Sequence, residues 1–303
     1  MARHLLDLCD LGPSGVLEVL ALCAPDRDNA LANSSVAMVF EKPSARTRNA
    51  TEMAVVDLGG HPVVINDSEV GIDTRETAED VARTLACYHQ TIAARVRDHN
   101  VLVRMRETLE AQGGSVSVIN LLSDHSHPCQ GLADALTILG EFGDPKGRKV
   151  TYVGDSNNVA LSLTQAALAL GMEVAIASPE GYQPNDDFIS AIEPFVPSGA
   201  GVSVSDNPRA AAEGASVLYT DVWTSMGQEA ERAQRLRDLA GYSVDEDLLG
   251  CANADAVVLH CLPAHRGEEI SGSVLENPQS RIWVQAAHRR TAMRGVLRWA
   301  RGI

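Results

Sequence analysis

No stretch of this chain stays apolar over the roughly 20 consecutive residues that a bilayer-spanning helix needs, so a membrane protein is not expected. The N-terminus, Met1-Ala2-Arg3-His4-Leu5-Leu6-Asp7, reaches an acid before any sustained apolar core and does not read as a secretory signal, which points to a cytoplasmic location. Positive charge is scarce: 25 Lys and Arg against 40 Asp and Glu leave a formal charge of -15, a field that repels nucleic acid. Any phosphate must therefore be held in a local basic pocket. Six cysteines (Cys9, Cys23, Cys87, Cys129, Cys251 and Cys261) lie far apart with no C-x-x-C pair, which argues for reduced thiols rather than zinc or redox work. Repeats of solenoid period and low-complexity tracts are missing too. What remains, 45% hydrophobic and 21% charged, is the composition of a soluble globular protein. A length of 303 residues allows two cores of ordinary domain size, preferred here over a single α/β barrel.

The hydrophobic pattern alternates between strand and helix. In the first half the expected order is strand 35–41, helix 44–58, strand 61–66, helix 76–88, strand 91–96, a helix ending near 112, strand 115–120 and helix 128–142, a four-strand parallel unit. Leu132, Leu136 and Leu139 fall at helical spacing on the last helix, and Pro128 suits a first turn that needs no intrahelical N–H. The turn-rich Gly143-Asp144-Pro145-Lys146-Gly147-Arg148 marks a boundary. Strands then follow at 150–154, 174–177, 202–204, 217–222, 256–262 and 282–284, with helical stretches between them. The fold class expected is α/β, two doubly wound parallel-sheet domains with the active site in the cleft between them. Residues 1–142 form the first domain, residues 143–286 the second, and the final helix (287–303) packs back on the first.

Ligands of open parallel sheets bind beyond the carboxyl ends of the strands, so the strand-to-helix turns are where chemistry is sought. Lys42-Pro43-Ser44-Ala45-Arg46-Thr47-Arg48 places two hydroxyls and two guanidiniums around free helix N–H groups, either an oxyanion cradle or a capped helix with a solvated basic turn. Arg95 ends a strand on the same sheet edge. In Asp124-His125-Ser126-His127-Pro128-Cys129-Gln130 the spacing matches no usual zinc pattern. His127 reads better as a donor to a carbonyl oxygen, with Gln130 one helical turn on, or as a capping histidine. Gly154-Asp155-Ser156-Asn157-Asn158 lacks the glycines of a dinucleotide turn but supplies amides suited to a carboxylate or zwitterion. Asp221, before a flexible Ser225-Met226-Gly227 loop, is placed to hold an ammonium group or to cap its strand, and the charged helix that follows reads as a solvated lid. Asp255 to Glu268 runs a buried-type strand into His260-Cys261-Leu262-Pro263; Cys261 is a buried hydrophobe, a nucleophile or a ligand-contacting thiol.

Taken together, S-x-R-T-R at Ser44 to Arg48, H-P-C-Q at His127 to Gln130, D-x-x-x-S-M-G at Asp221 to Gly227 and H-C-L-P at His260 to Pro263 resemble the ornithine carbamoyltransferases, over nearly the whole chain. The resemblance implies transfer of the carbamoyl group of carbamoyl phosphate to the δ-amine of L-ornithine, giving L-citrulline and phosphate in arginine biosynthesis. It also implies a cytosolic homotrimer or multiple of trimers, and no metal or other cofactor. It implies further that Ser44, Ala45, Arg46, Thr47, Arg95, His127, Gln130, Cys261, Leu262 and Arg289 bind carbamoyl phosphate, and that Asn158, Asp221, Ser225 and Met226 bind ornithine. Arg95, His127, Asp221 and Cys261 would act in catalysis. The chain departs from the family pattern at Ala45, at Asp67 to Asp73, which lacks the usual Q-L-G glutamine, and at Ala287-His288 before Arg289. Rival readings are transfer to another ornithine-like amine, a weakly active binding paralogue, and a metal-dependent hydrolase built on His125, His127 and Cys129.

Overall fold

Short apolar runs closed by glycine, asparagine or charge become strands, and capping side chains start most of the helices between them. The computed structural model describes residues 2–24, 27–196, 201–224 and 228–303. The chain divides into two compact units, the first running through Ala133 and resuming at Ala287–Ile303, the second Asp134–Ala286. In order along the chain come α1 (Gly12–Ala21), β1 (Ser35–Phe40), α2 (Ala45–Asp57), β2 (His61–Asn66), α3 (Asp67–Val70), α4 (Ala78–Ala86), β3 (Thr91–Arg95), α5 (His99–Ala111), β4 (Ser117–Leu122) and α6 (Pro128–Phe142). There follow β5 (Lys149–Val153), α7 (Asn158–Ala169), β6 (Glu173–Ala177), α8 (Asp186–Ile192), β7 (Val202–Ser205), α9 (Pro208–Ala212), β8 (Ala215–Thr220), α10 (Arg232–Asp238), α11 (Glu246–Leu249), β9 (Val257–His260), α12 (Gly272–Leu275) and α13 (Ile282–Arg301). Thr77 and Asp98 cap α4 and α5 by accepting from Asp80 N and Asn100 N, which satisfies amides that have no partner inside the helix.

All pairings within the two sheets are parallel, in the order β2-β1-β3-β4 in the first unit and β7-β6-β5-β8-β9 in the second. Each order reverses direction once, between β1 and β3 and between β5 and β8. At such a reversal the connections leave on opposite sides and open a crevice beyond the strand ends. The turns after β1 and β3, and those after β5 and β8, are therefore the places the fold reserves for ligands.

Strands β3 and β8, inside their sheets, and β9, at the end of its sheet, are buried along their whole length, whereas edge strands β2 and β7 are half-exposed. In the first unit Ala37, Val39, Ile92 and Ala94 pack against Val81 of α4 and Leu102 and Met105 of α5. In the second, Val153, Leu218 and Val258 pack with Leu248 of α11, Val274 of α12 and Ile282. Each large aliphatic side chain buried this way contributes roughly 1.5–3 kcal/mol.

Three expectations are corrected. Residues 282–284 are not a strand but the first turn of α13: Ile282 and Gln285 are buried while Trp283 and Val284 face outward, a period of three that a strand cannot give. On α6 the buried apolar face runs through Leu132, Ala135 and Ile138, leaving Leu136 and Leu139 only half-buried. Strands expected over 217–222 and 256–262 stop at Thr220 and His260, so Asp221, Cys261 and Leu262 lie past the strand ends.

Candidate functional site

In the first unit the backbone leaves β1 at Phe40 and enters α2 through Ser44, whose extended φ of -150° makes it the N-cap and whose hydroxyl accepts from Thr47 N at 3.3 Å. That bond turns Thr47 inward. Its hydroxyl oxygen accepts from Arg289 Nη2 at 2.8 Å and from Arg95 Nη1 at 3.4 Å, gathering two buried guanidiniums beside the start of α2. Arg95 arrives from the end of β3, which pairs with β1 in the register Phe40↔Arg95. Arg46 is half-buried on the same turn, while Ala45 is exposed and contributes only backbone. Arg48, counted with Arg46 in the sequence, is turned away and pairs with Glu52 at 3.2 Å along the helix surface.

His127 and Gln130, at the start of α6, are buried. Burial first, then the Arg289 and Arg95 guanidiniums, hold the His127 imidazole well below the usual histidine range. It is therefore neutral near pH 7 and can donate one hydrogen bond without adding charge. The zinc-like grouping does not form: burial pushes the Cys129 thiol up to about 12, Cys129 Sγ donates to Asn120 O at 3.4 Å, and the His125 ring lies against His99. Helix N-terminal amides, two buried arginines and a neutral donor form a place for a dianion carrying a carbonyl group.

In the second unit, polar side chains meet at the turns after β5, β8 and β9. Asn157 caps α7, its Oδ1 accepting from Val159 N and Ala160 N, and its Nδ2 donates to Asp221 Oδ2 at 3.0 Å. Asp221 is thereby fixed at the end of β8, and its other oxygen accepts from Cys261 Sγ at 2.9 Å. Half-buried Asn158 sits next to this cap. Ser225 and Met226 lie outside the described residues. Arg235 of α10 is buried, pairs with Asp155 at 2.6 Å and donates to Trp223 O, and Asp238 accepts from Tyr182 Oη at 2.9 Å, so this helix is anchored rather than simply solvated.

His260 and Cys261, neighbours along the chain, serve different partners. Glu269 Oε1 accepts from His260 Nε2 at 3.1 Å, which leaves His260 Nδ1 to accept from Leu262 N at 2.8 Å. Gln285 Oε1 accepts from His260 N. Leu262 is held at φ +61°, a left-handed conformation that costs a side-chain-bearing residue about 1–2 kcal/mol, and is followed by a cis peptide bond to Pro263. Ligand atoms of Asp221, His260 and Cys261 also fall within 4.8 Å of one another, but both ring nitrogens of His260 are already engaged. Sequence reasoning missed Glu269 and Gln285, and it read Asn157 as an amide for a ligand, whereas its side chain caps α7 and holds Asp221.

The geometry has close counterparts. Residues 3–140 match the family described as aspartate/ornithine carbamoyltransferase, carbamoyl-P binding domain, and residues 146–300 its Asp/Orn binding domain. An ornithine carbamoyltransferase of Acidothermus cellulolyticus is 50% identical over 296 residues, covering 95% of this chain and 93% of its own. The anabolic ornithine carbamoyltransferase of Pyrococcus furiosus is 44% identical over 268 residues, 88% of this chain and 84% of its own. A solved structure of the ornithine carbamoyltransferase from Pyrococcus furiosus superposes with a TM-score of 0.91 at 41% identity, covering 98% of this chain and 96% of that one.

Proposed function

This chain belongs to the aspartate/ornithine carbamoyltransferase family, and from that premise we propose that it transfers the carbamoyl group of carbamoyl phosphate to the δ-amine of L-ornithine, releasing L-citrulline and phosphate. The observation that carries this reading is the Thr47 hydroxyl with Arg95 and Arg289 on it at the N-terminus of α2, a phosphate cradle in a chain of charge -15. In this reading residues 1–142 with 287–303 form the carbamoyl-phosphate domain and residues 143–286 the ornithine domain. Ser44, Ala45, Arg46, Thr47, Arg95 and Arg289 hold the phosphate. Neutral His127, with Gln130, donates to the carbamoyl oxygen, and Cys261 and the Leu262 backbone border the carbamoyl group. Asn158, Asp221, Ser225 and Met226 hold the amino-acid end of ornithine.

The δ-amine attacks as the neutral base, its nitrogen lone pair forming the new C–N bond to the carbamoyl carbon. The tetrahedral oxyanion develops beside His127 and Arg95, and the C–O bond to phosphate then breaks, the leaving oxygen keeping the electron pair within the arginine cradle. One proton must leave the attacking nitrogen, and the Asp221 carboxylate, joined to Cys261 at 2.9 Å, accepts it as general base before it passes to the departing phosphate. The mixed anhydride is already activated, so the step calls for no oxidant and no cofactor. The same reading makes the protein a cytoplasmic homotrimer, or multiple of trimers, serving arginine biosynthesis. Citrulline formation by the purified protein, run against a panel of aspartate, putrescine and N-acetylornithine with mass measured in solution, tests it. Preference for ornithine supports the proposal, and preference for another amine, or carbamoyl phosphate binding without turnover, overturns it.

A further inference from the structure

Just past Pro263 the chain makes a tight turn in which Glu268 N donates to His265 O, Gly267 takes φ +87°, and Gly267 N donates to Ile270 O. The turn brings the side chains of His265, Glu268 and Glu269 together, with one ligand atom from each within 4.8 Å of the others. Glu269 is wholly buried. Its Oε1 accepts from His260 Nε2 and His265 N, whereas its Oε2 is sealed from solvent with no hydrogen-bond donor. His265 Nδ1 is also sealed and makes no hydrogen bond, although the outer part of the ring is exposed. It lies 3.7 Å from Glu268 Oε2 and 3.9 Å from Glu269 Oε2. Arg232 binds Glu268 Oε1, which orients the second Glu268 oxygen.

These separations separate two explanations. A hydrogen bond from Nδ1 would close to about 2.7–3.2 Å. Ligands around an ion bound at about 2.0–2.2 Å instead stand about 3.3–3.6 Å apart, close to what is seen. We propose that His265 Nδ1, Glu268 and Glu269 form a binding site for a borderline first-row divalent cation of the Zn2+ class. One imidazole and two carboxylates suit such an ion, and the buried unpartnered oxygen of Glu269 gains the partner it lacks. The exposed edge of His265 leaves room for water to complete the coordination. Because Glu269 also receives His260 Nε2, and His260 Nδ1 receives Leu262 N, the cation ties the turn to the left-handed Leu262 and is a stabilising ligand rather than a reactant.

Cobalt(II) is the probe, titrated into the full-length protein and followed by visible absorption and by thermal unfolding. The expected result is saturable uptake of one ion without an intense thiolate-to-cobalt band, an upward shift of Tm, and affinity weakened about tenfold or more by His265→Ala. Glu268→Gln, at a half-buried position, is expected to weaken binding likewise, and Cys261→Ser to leave it unchanged. No saturable uptake, binding unaltered in His265→Ala, or a thiolate band that Cys261→Ser abolishes overturns the proposal. So does a His265 ring whose nuclear magnetic resonance signals are unmoved by cobalt. None of these readouts uses turnover, so the assignment stands or falls separately from carbamoyl transfer.

Discussion

Thr47 Oγ1 is the acceptor that holds Arg95 and Arg289 in one place, and no apolar side chain of the same shape can do so. Thr47→Val keeps the volume and removes two charge-assisted bonds, each worth roughly 1.5–3 kcal/mol. The KM for carbamoyl phosphate is expected to rise about tenfold or more, with a smaller effect on the KM for ornithine; steady-state kinetics with each substrate varied will show it, and an unchanged carbamoyl phosphate KM would remove Thr47 from the site. Cys261→Ala deletes the thiol on Asp221 and is expected to lower kcat and raise the KM for ornithine, leaving carbamoyl phosphate affinity largely intact. Unchanged kinetics on both counts would refute that role. At this scale the sequence was readable where a motif pairs a residue type with a helix start, as at Ser44 and Thr47. It was less so at Arg48, where Glu52 four residues on competes for the guanidinium, and at Glu269, whose partner His260 is nine residues away across a turn that no spacing rule describes.

Among the elements, α13 does the most for the first unit. Asp57, the last residue of α2, is buried and ion-paired with Arg290 at 2.7 Å, Arg294 at 3.3 Å and Arg27 at 3.1 Å, and the side-chain bond from Arg290 is the main reason its carboxyl is held below the usual range. Farther along, Arg298 donates to Leu22 O and pairs with Asp28. Asp57→Asn leaves the buried Arg294 guanidinium without its counter-charge, while the more exposed Arg290 and Arg27 stay solvated, so the cost is expected to fall below the about 3–5 kcal/mol of breaking a wholly buried pair. A clear fall in Tm is expected, measured by calorimetry. Gly295 lets α13 approach α1: a Cβ there would run into Cys23 Sγ and stand 2.7 Å from Val19 O. Gly295→Ala is expected to destabilise by roughly 1–3 kcal/mol in a denaturant titration, because backbone cannot step aside as a side-chain tip can. Most of these elements follow from hydrophobic period and caps. The failure at 282–284 has a plain cause: three apolar residues fit a strand or a helical turn equally well, and only the burial of Gln285 one turn on decides between them.

For the molecule as a whole the histidines set the pH response. His4, His89, His99, His127 and His288 are all lowered from 6.5, in each case first by burial. The unfolded chain therefore takes up protons near pH 6.5 that the folded chain refuses, so this stability is complete above about 6.5 and is lost as pH falls toward the folded values. Asp57, Asp73 and Glu141, lowered by their arginine partners, add a second loss below about pH 4, while Glu41 and Asp155, raised by burial, act in the opposite sense. The urea midpoint is expected to be lower at pH 5.5 than at pH 7.5, and His127→Gln to flatten part of that slope; equal midpoints for the parent protein would contradict the assignment. The two-unit fold was legible from alternation alone; the first unit is assembled from both ends of the chain, Ala287–Ile303 joining the N-terminal part. That discontinuity governs synthesis. A ribosome delivers Thr47 and Arg95 long before Arg289, Arg290, Arg294 and Arg298, so the nascent first unit waits, its Asp57 paired with Arg27 alone and its anion site lacking one guanidinium, until α13 has been made.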